Sequence, residues 1–394
     1  MASTVDTAQR TRLGGFGQSS ASDAATAGRE SVAMAVAGHV PAAGDLVIIF
    51  PSAAYDLDAL HQAALEVAGP ASVVGCTTVG AFTGETQVPF GCVAAFIAAD
   101  EASFGVCHAE RDDEDIAGST RRAAETARER AGDRYPHSVL VLLCDGLTPD
   151  QREMARGAYE VTSAVVPLVG GAAGDDLLWQ RTFTLGEGRI LSNGLVAVWI
   201  NSARPMAVAV DHGWKPFGKP MLVTRAEGAV IHELDGRPAL DAYLSERGAA
   251  LKEDGRSFGE KCMERPIGLP NVHGRYDLRH VHQEAPGGGI VLTTGVPEQT
   301  VVQVMAADTE SLLEGARRAG DAALSQLDDA PRLAIVFSCC TRVPLLGDRV
   351  AEEVGRISSA LGGVPAGGFY TCGEFARVTG STGIHNASVA ILVL

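Results

Sequence analysis

Arg342, Tyr370, Thr371, Gly373, Glu374, His385 and Asn386 crowd the last part of the chain with the types needed to hold a small polar molecule. A guanidinium is a planar fork that takes a carboxylate through two parallel hydrogen bonds, so Arg342 is the natural grip for an acid group. Glu374, and Asp175 in the first half, would accept from a ligand ammonium. Tyr370, Thr371, Thr77 and Thr78 offer hydroxyls. Cys339 with His385 and Asn386 has the residue types of a thiolate–imidazole enzyme, in which histidine lowers the thiol pKa and asparagine orients the ring. His280 and His282 alternate along a strand and so point to one side. Without a third ligand at fixed spacing they make only a weak haem or metal feature, and no metal site is expected.

These residues sit in or beside a motif that recurs. Gly75-Cys76-Thr77-Thr78-Val79-Gly80-Ala81-Phe82 returns as Gly368-Phe369-Tyr370-Thr371-Cys372-Gly373-Glu374-Phe375, and more faintly as Val169-Gly170-Gly171-Ala172-Ala173-Gly174-Asp175-Asp176. Glycine-rich turns let backbone amides approach a bound group, which adds Cys76, Gly170, Gly171 and Gly373 to the candidates. The middle copy is not a dinucleotide fingerprint, because it leads into Asp-Asp and a strand where such glycines open a helix. Duplication predicts that segments 45–98 and 332–394 superpose, with Gly80 and Gly373 at equivalent positions.

Each copy is preceded by an apolar strand, an amphipathic helix and a second strand. In the first copy these are Leu46–Phe50, a helix whose apolar face is Leu57, Leu60, Ala64 and Val67 behind an Asp56 N-cap, and Ser72–Cys76. Val350, Val354, Ile357 and Leu361 trace the corresponding stripe in the last copy. The fold class is therefore α/β, with internally duplicated strand–helix–strand units forming mixed sheets packed with helices. Residues 1–14, rich in Ser, Thr and Ala, read as a disordered tail. Residues 15–212 and 223–394 read as two domains, and 247–275 as a surface excursion within the least regular stretch.

The 394 residues carry a net charge of −16, which argues against nucleic acid as a partner. No apolar run approaches the length of a membrane helix, and no segment resembles a signal peptide. The eight cysteines form no Cys-x-x-Cys pair and lie mostly in apolar runs, as reduced thiols of a cytoplasmic protein do.

Phe16–Ser20, Val74–Gly80 and Gly170–Asp176 resemble the N-terminal half of the FIST family. His212-Gly213-Trp214-Lys215-Pro216-Phe217-Gly218 with Glu233–Ala239 resembles that family's junction. Phe337–Arg342, Gly368–Glu374 and His385-Asn386 resemble its C-terminal half. The resemblance implies a sensory protein that binds a small ligand, with amino acids suggested, and hands a signal to a protein partner. A related group is linked to haem and nitric oxide sensing, so haem is the alternative to a protein without cofactor.

Overall fold

The first repeat runs β1 (Gly14–Ser19), α1 (Ala24–Ala35), β2 (Leu46–Pro51), α2 (Leu57–Ala68), β3 (Ser72–Cys76), β4 (Ala81–Thr83), β5 (Thr86–Val88) and β6 (Cys92–Ile97). The second runs β7 (Ala102–Glu110), α3 (Ile116–Ala131), β8 (His137–Cys144), α4 (Gln151–Thr162), β9 (Leu168–Ala172), β10 (Thr184–Gly186), β11 (Arg189–Leu191) and β12 (Gly194–Ser202). These bounds come from a computed structural model that describes residues 14–84, 86–148, 150–248, 255–271, 274–377 and 383–394. The tail read over 1–14 lies outside the described residues except for Gly14, which opens β1.

A third repeat begins at β13 (Ala207–Asp211) and is then interrupted. The interruption holds β14 (Lys215–Glu227), β15 (Val230–Leu234), β16 (Arg237–Pro238), α5 (Ala239–Glu246), α6 (Phe258–Cys262), β17 (Ile267–Pro270), β18 (Tyr276–Arg279), β19 (Val281–Ala285), β20 (Gly289–Leu292) and β21 (Val301–Ala306). The repeat resumes with α7 (Thr309–Leu324), β22 (Ala334–Cys339), α8 (Arg342–Leu346), α9 (Glu352–Ala360), β23 (Ala366–Thr371), β24 (Glu374–Arg377), β25 (Gly383–His385) and β26 (Val389–Val393). The boundary read between 212 and 223 falls where the inserted sheet begins, while β13, on its N-terminal side, pairs with β26 at the far end of the chain.

Each repeat builds the same sheet. Its orders are β1-β6-β2-β3, β7-β12-β8-β9 and β13-β26-β22-β23, so the segments expected to superpose share their strand order. The copy that was faint in sequence is a full repeat. In each, a glycine turn then sends a two-stranded arm into a neighbouring sheet: β4–β5 onto β23, β10–β11 onto β3, and β24–β25 onto β9. Gly80 and Gly373 stand directly before their arms with φ of 115° and 150°, a conformation that side chains rarely adopt.

Strand burial follows from this arrangement. Leu46, Ile48 and Phe50 face a central core shared with Val139, Val141, Leu143, Ile335 and Phe337, where Phe50 stacks on Phe369 at 4.7 Å. The alternate residues Val47 and Ile49 face the outer layer of α1 and α2. Two covered faces explain why these strands read as unbroken apolar runs. Asp56 caps α2, accepting from the Ala59 amide at 3.1 Å, and the Val354, Ile357 and Leu361 stripe packs under the third sheet as its spacing predicts.

The inserted strands form a separate antiparallel sheet, β18-β17-β21-β14-β15-β20-β19, with its own core around Val223, Ile231, Tyr243 and Val304. It meets the third repeat through Trp214, Leu278, Met305, Leu312, Leu346 and Ala387. The stretch that looked irregular holds short strands with polar outer faces. In β19 only the two ends, Val281 and Ala285, are buried, so no period-2 pattern shows.

Candidate functional site

The three glycine turns do gather, but they bond to one another. The Gly174 amide donates to Thr77 O at 2.9 Å, Cys372 N to Ala172 O at 3.0 Å, Ala172 N to Gly373 O at 2.8 Å, and Tyr370 N to Gly80 O at 2.9 Å. The Thr77 hydroxyl accepts from Phe183 N and that of Thr78 from Gly80 N. Asp175, expected to face a ligand amine, instead accepts from the amides of Trp179, Gln180 and Arg181. Cys76 is buried in the shared core, and Gly170 and Gly171 are closely covered by Leu142 O and the Thr371 methyl. Close approach of protein to protein, rather than to a ligand, is what these glycines permit.

Arg342 opens α8 immediately past β22 and is fully buried. Its Nε donates to Glu353 Oε1 at 2.6 Å, Nη1 to the carbonyls of His212 and Ala387, and Nη2 to that of Leu312 while pairing with Glu353. Every edge of the fork is occupied, so the carboxylate grip expected of Arg342 has no donor left. Its work is to tie the His212 turn, α7 and the His385–Ala387 corner together. Tyr370 points away, donating to Gln87 at 3.0 Å in the arm of the first repeat.

Glu374 begins the third arm with no exposed surface, and Thr371 and Ser388 hydroxyls bond its two oxygens. Burial pushes its pKa well above the usual carboxylate range, with the nearby Cys339 adding to the effect. A shift in that direction favours the neutral form, which is unsuited to an ammonium. Because the folded pKa is raised above the unfolded one, its stabilisation is complete below about pH 4.3 and is lost as pH rises towards the folded value. Glu374→Gln, isosteric with the neutral acid, should flatten the decline of thermal stability between weakly acidic and weakly alkaline pH. An unchanged slope in melting scans across that range would remove Glu374 as its source.

His385 and Asn386 lie where the third arm returns to β26. The His385 Nε2 bonds Ala376 O at 2.8 Å, and burial keeps its pKa below the ordinary value. Asn386 Oδ1 accepts from the Thr293 hydroxyl at 2.8 Å, which ties this corner to the inserted sheet. The next residue, Ala387, is completely buried with φ of 55°, a strained setting for a residue with a side chain. Two donors, Trp214 Nε1 and Arg342 Nη1, clamp its carbonyl and hold the corner in place.

Facing this corner is the end of β18. Asp277 and Arg279 alternate with Leu278, and both act electrostatically on His385. Arg279 is 3% exposed; its Nη1 donates to Leu278 O at 2.7 Å, and no described residue accepts from Nε. Next to it, His280 Nε2 meets the Thr341 hydroxyl at 3.2 Å, while its buried Nδ1 finds no partner among the described residues. His282 lies outside on the exposed face of β19, so the two imidazoles read as neighbours do not share a site. Thr341 in turn donates to Cys339 Sγ, whose thiol burial drives well above its usual pKa. The sequence offered little to find Arg279: two charges flanking one leucine resemble an exposed edge strand.

A ring of three arm-exchanging α/β repeats with an antiparallel sheet inserted in the third, and a buried polar seam between the two, defines the architecture. The chain belongs to the FIST family: residues 45–237 match the FIST N domain and residues 239–377 the FIST C domain. FIST domains are in general small-ligand sensory domains. An uncharacterized protein of Mycobacterium tuberculosis is 27% identical over 398 residues, covering 96% of this chain and 99% of that protein. Among solved structures, a cyanuric acid hydrolase from A. caulinodans aligns with 97% of this chain and 99% of its own at 12% identity, with a TM-score of 0.35. A chorismatase aligns with 88% and 91% at 10% identity, with a TM-score of 0.32. No helix among the described residues is long and apolar enough to cross a membrane.

Proposed function

We propose that this protein is a cytosolic sensor that binds a small polar, amino-acid-like metabolite in the seam between the His385–Ala387 corner and β18, and reports occupancy to a signalling partner. The observation that carries the reading is the buried left-handed Ala387, clamped by Arg342 and Trp214 so that His385 and Asn386 are presented to the inserted sheet. Strain of this kind persists only where surrounding structure enforces it, and it concentrates at ligand sites. A seam between two separately packed bodies is also where occupancy can shift one against the other.

The cysteine-dependent alternative finds no support in this geometry. Cys339 is buried with its thiol pushed well above the usual pKa, and His385 engages a backbone carbonyl. For haem, the expectation is protein that purifies without a Soret band. A thermal-shift screen with amino acids and other small polar metabolites tests the main reading. A ligand at 100 times its dissociation constant should stabilise the fold by about 2.7 kcal/mol. If no compound shifts the melting point, and equilibrium dialysis with the same compounds shows no uptake, the sensor reading fails.

A further inference from the structure

Two arginines are buried at the seam, Arg342 completely and Arg279 with 3% of its surface exposed, and their surroundings differ in kind. Arg342 has a carboxylate and three carbonyls around it. Arg279 has one neighbouring carbonyl, that of Leu278, on Nη1. Among the described residues nothing accepts from its buried Nε, Nη2 makes no hydrogen bond to them, and no carboxylate of theirs forms an ion pair with it. The closest acidic influence is Asp277, two residues back on the same face of the strand, and the positive Arg152 at the start of α4 opposes it. Burial pulls the Arg279 pKa down only to about 10, so the cation persists at neutral pH. A buried charge normally has a partner, because the interior does not solvate it as water does.

The unpaired edge has a shape. Nε–H and the adjacent Nη2–H are parallel donors spaced to match the two oxygens of a carboxylate. Beside Arg279 in the chain the buried His280 Nδ1 also lacks a partner among the described residues, and His385 lies close enough to feel the Arg279 charge. The net charge of −16 makes this local positive site stand against the field of the whole chain, so a bound anion must be held at short range.

We propose that Arg279 is the anion anchor of the seam, taking the carboxylate of the bound metabolite side-on through Nε and Nη2. This rests on the seam being the sensory site, and it assigns to Arg279 a role for which Arg342 has no free donor. It also makes the site selective by charge: an acid binds, while the corresponding carboxamide, which cannot accept two charge-assisted bonds, does not.

The test uses the full chain and two matched probe pools, one of amino acids and simple monocarboxylates, the other of their carboxamides. Melting points and dialysis are measured for the parent, Arg279→Met and Arg279→Lys. The expected result is a shift with the acid pool alone, lost in Arg279→Met and weakened about 30-fold or more in Arg279→Lys, with neither variant less stable than the parent without ligand. A shift of equal size with the carboxamide pool, or one that survives in Arg279→Met, overturns the anchor and leaves the sensory seam standing. Binding by neither pool removes the anchor, and the sensory reading then rests on the wider metabolite screen. Should both variants fail to fold, Arg279 is a structural residue and the proposal is wrong.

Discussion

Replacing Arg342 with methionine should destabilise the fold by about 3–5 kcal/mol, a large share of the 5–15 kcal/mol that holds a typical protein folded. The loss has two sources. Glu353 would remain fully buried with a single partner, the Ser338 hydroxyl at 2.6 Å. The carbonyls of His212, Leu312 and Ala387 would lose a charged donor together. Replacing both charges, as Arg342→Met with Glu353→Leu, should recover much of the loss, since a buried pair is often matched by apolar residues of similar volume. Urea denaturation of the parent, both single variants and the double variant gives the coupling. Additive effects would show that the pair does not act as a unit. Ala387 sits at the meeting point, so the double variant should still bind the seam ligand less well than the parent.

Gly368→Ala should cost about 3 kcal/mol, and Gly170→Ala, where a φ of 153° adds strain, at least as much. Gly75, Gly170 and Gly368 occupy one position of the repeat, each in register with a residue of the parallel partner strand: Ile49, Leu142 and Val336. An added Cβ at any of the three would press into the backbone carbonyl of that partner. A backbone atom cannot swing aside as a flexible side chain can, so strands at the centre of a packed sheet would have to part. An alanine variant whose denaturation midpoint matches the parent would show that the strands have slack there. Gly69→Ala is a poor control, because its φ of 56° penalises a side chain even in open space.

Much of this fold is legible in the sequence because the repeats share spacing, capping and turn chemistry. Leu46–Phe50 with Asp56 and Ser72–Cys76 marks one strand–helix–strand unit, and the glycine turn that follows marks where the chain leaves its own sheet. The insertion after β13 was hidden, because Ala207–Asp211 reads as the end of one half although its partner strand lies at residues 389–393. The candidate site was half legible. His385 and Asn386 were found from their types, and they do face another body of the protein. Arg342 was found too, but its partner Glu353 sits beside an apolar stripe that gives no sign of burial. Arg279 and Asp277 escaped because short strands with one polar face show no clear alternation. What separates a gripping arginine from a bracing one is the list of acceptors around it, and sequence does not contain that list.

The exchanged arms carry a consequence for how this protein can be divided. Every repeat finishes its sheet with strands donated by another, and the ring closes through residues near both ends of the chain. A piece cut at the boundary between the FIST N and FIST C matches would keep β13 without β26, and β9 without the β24–β25 arm. Such a fragment would bear open sheet edges, the sort that recruit strands from other molecules. The two named domains therefore divide the family's sequence, whereas assembly is a property of the whole circle, complete only once the last strand has been made.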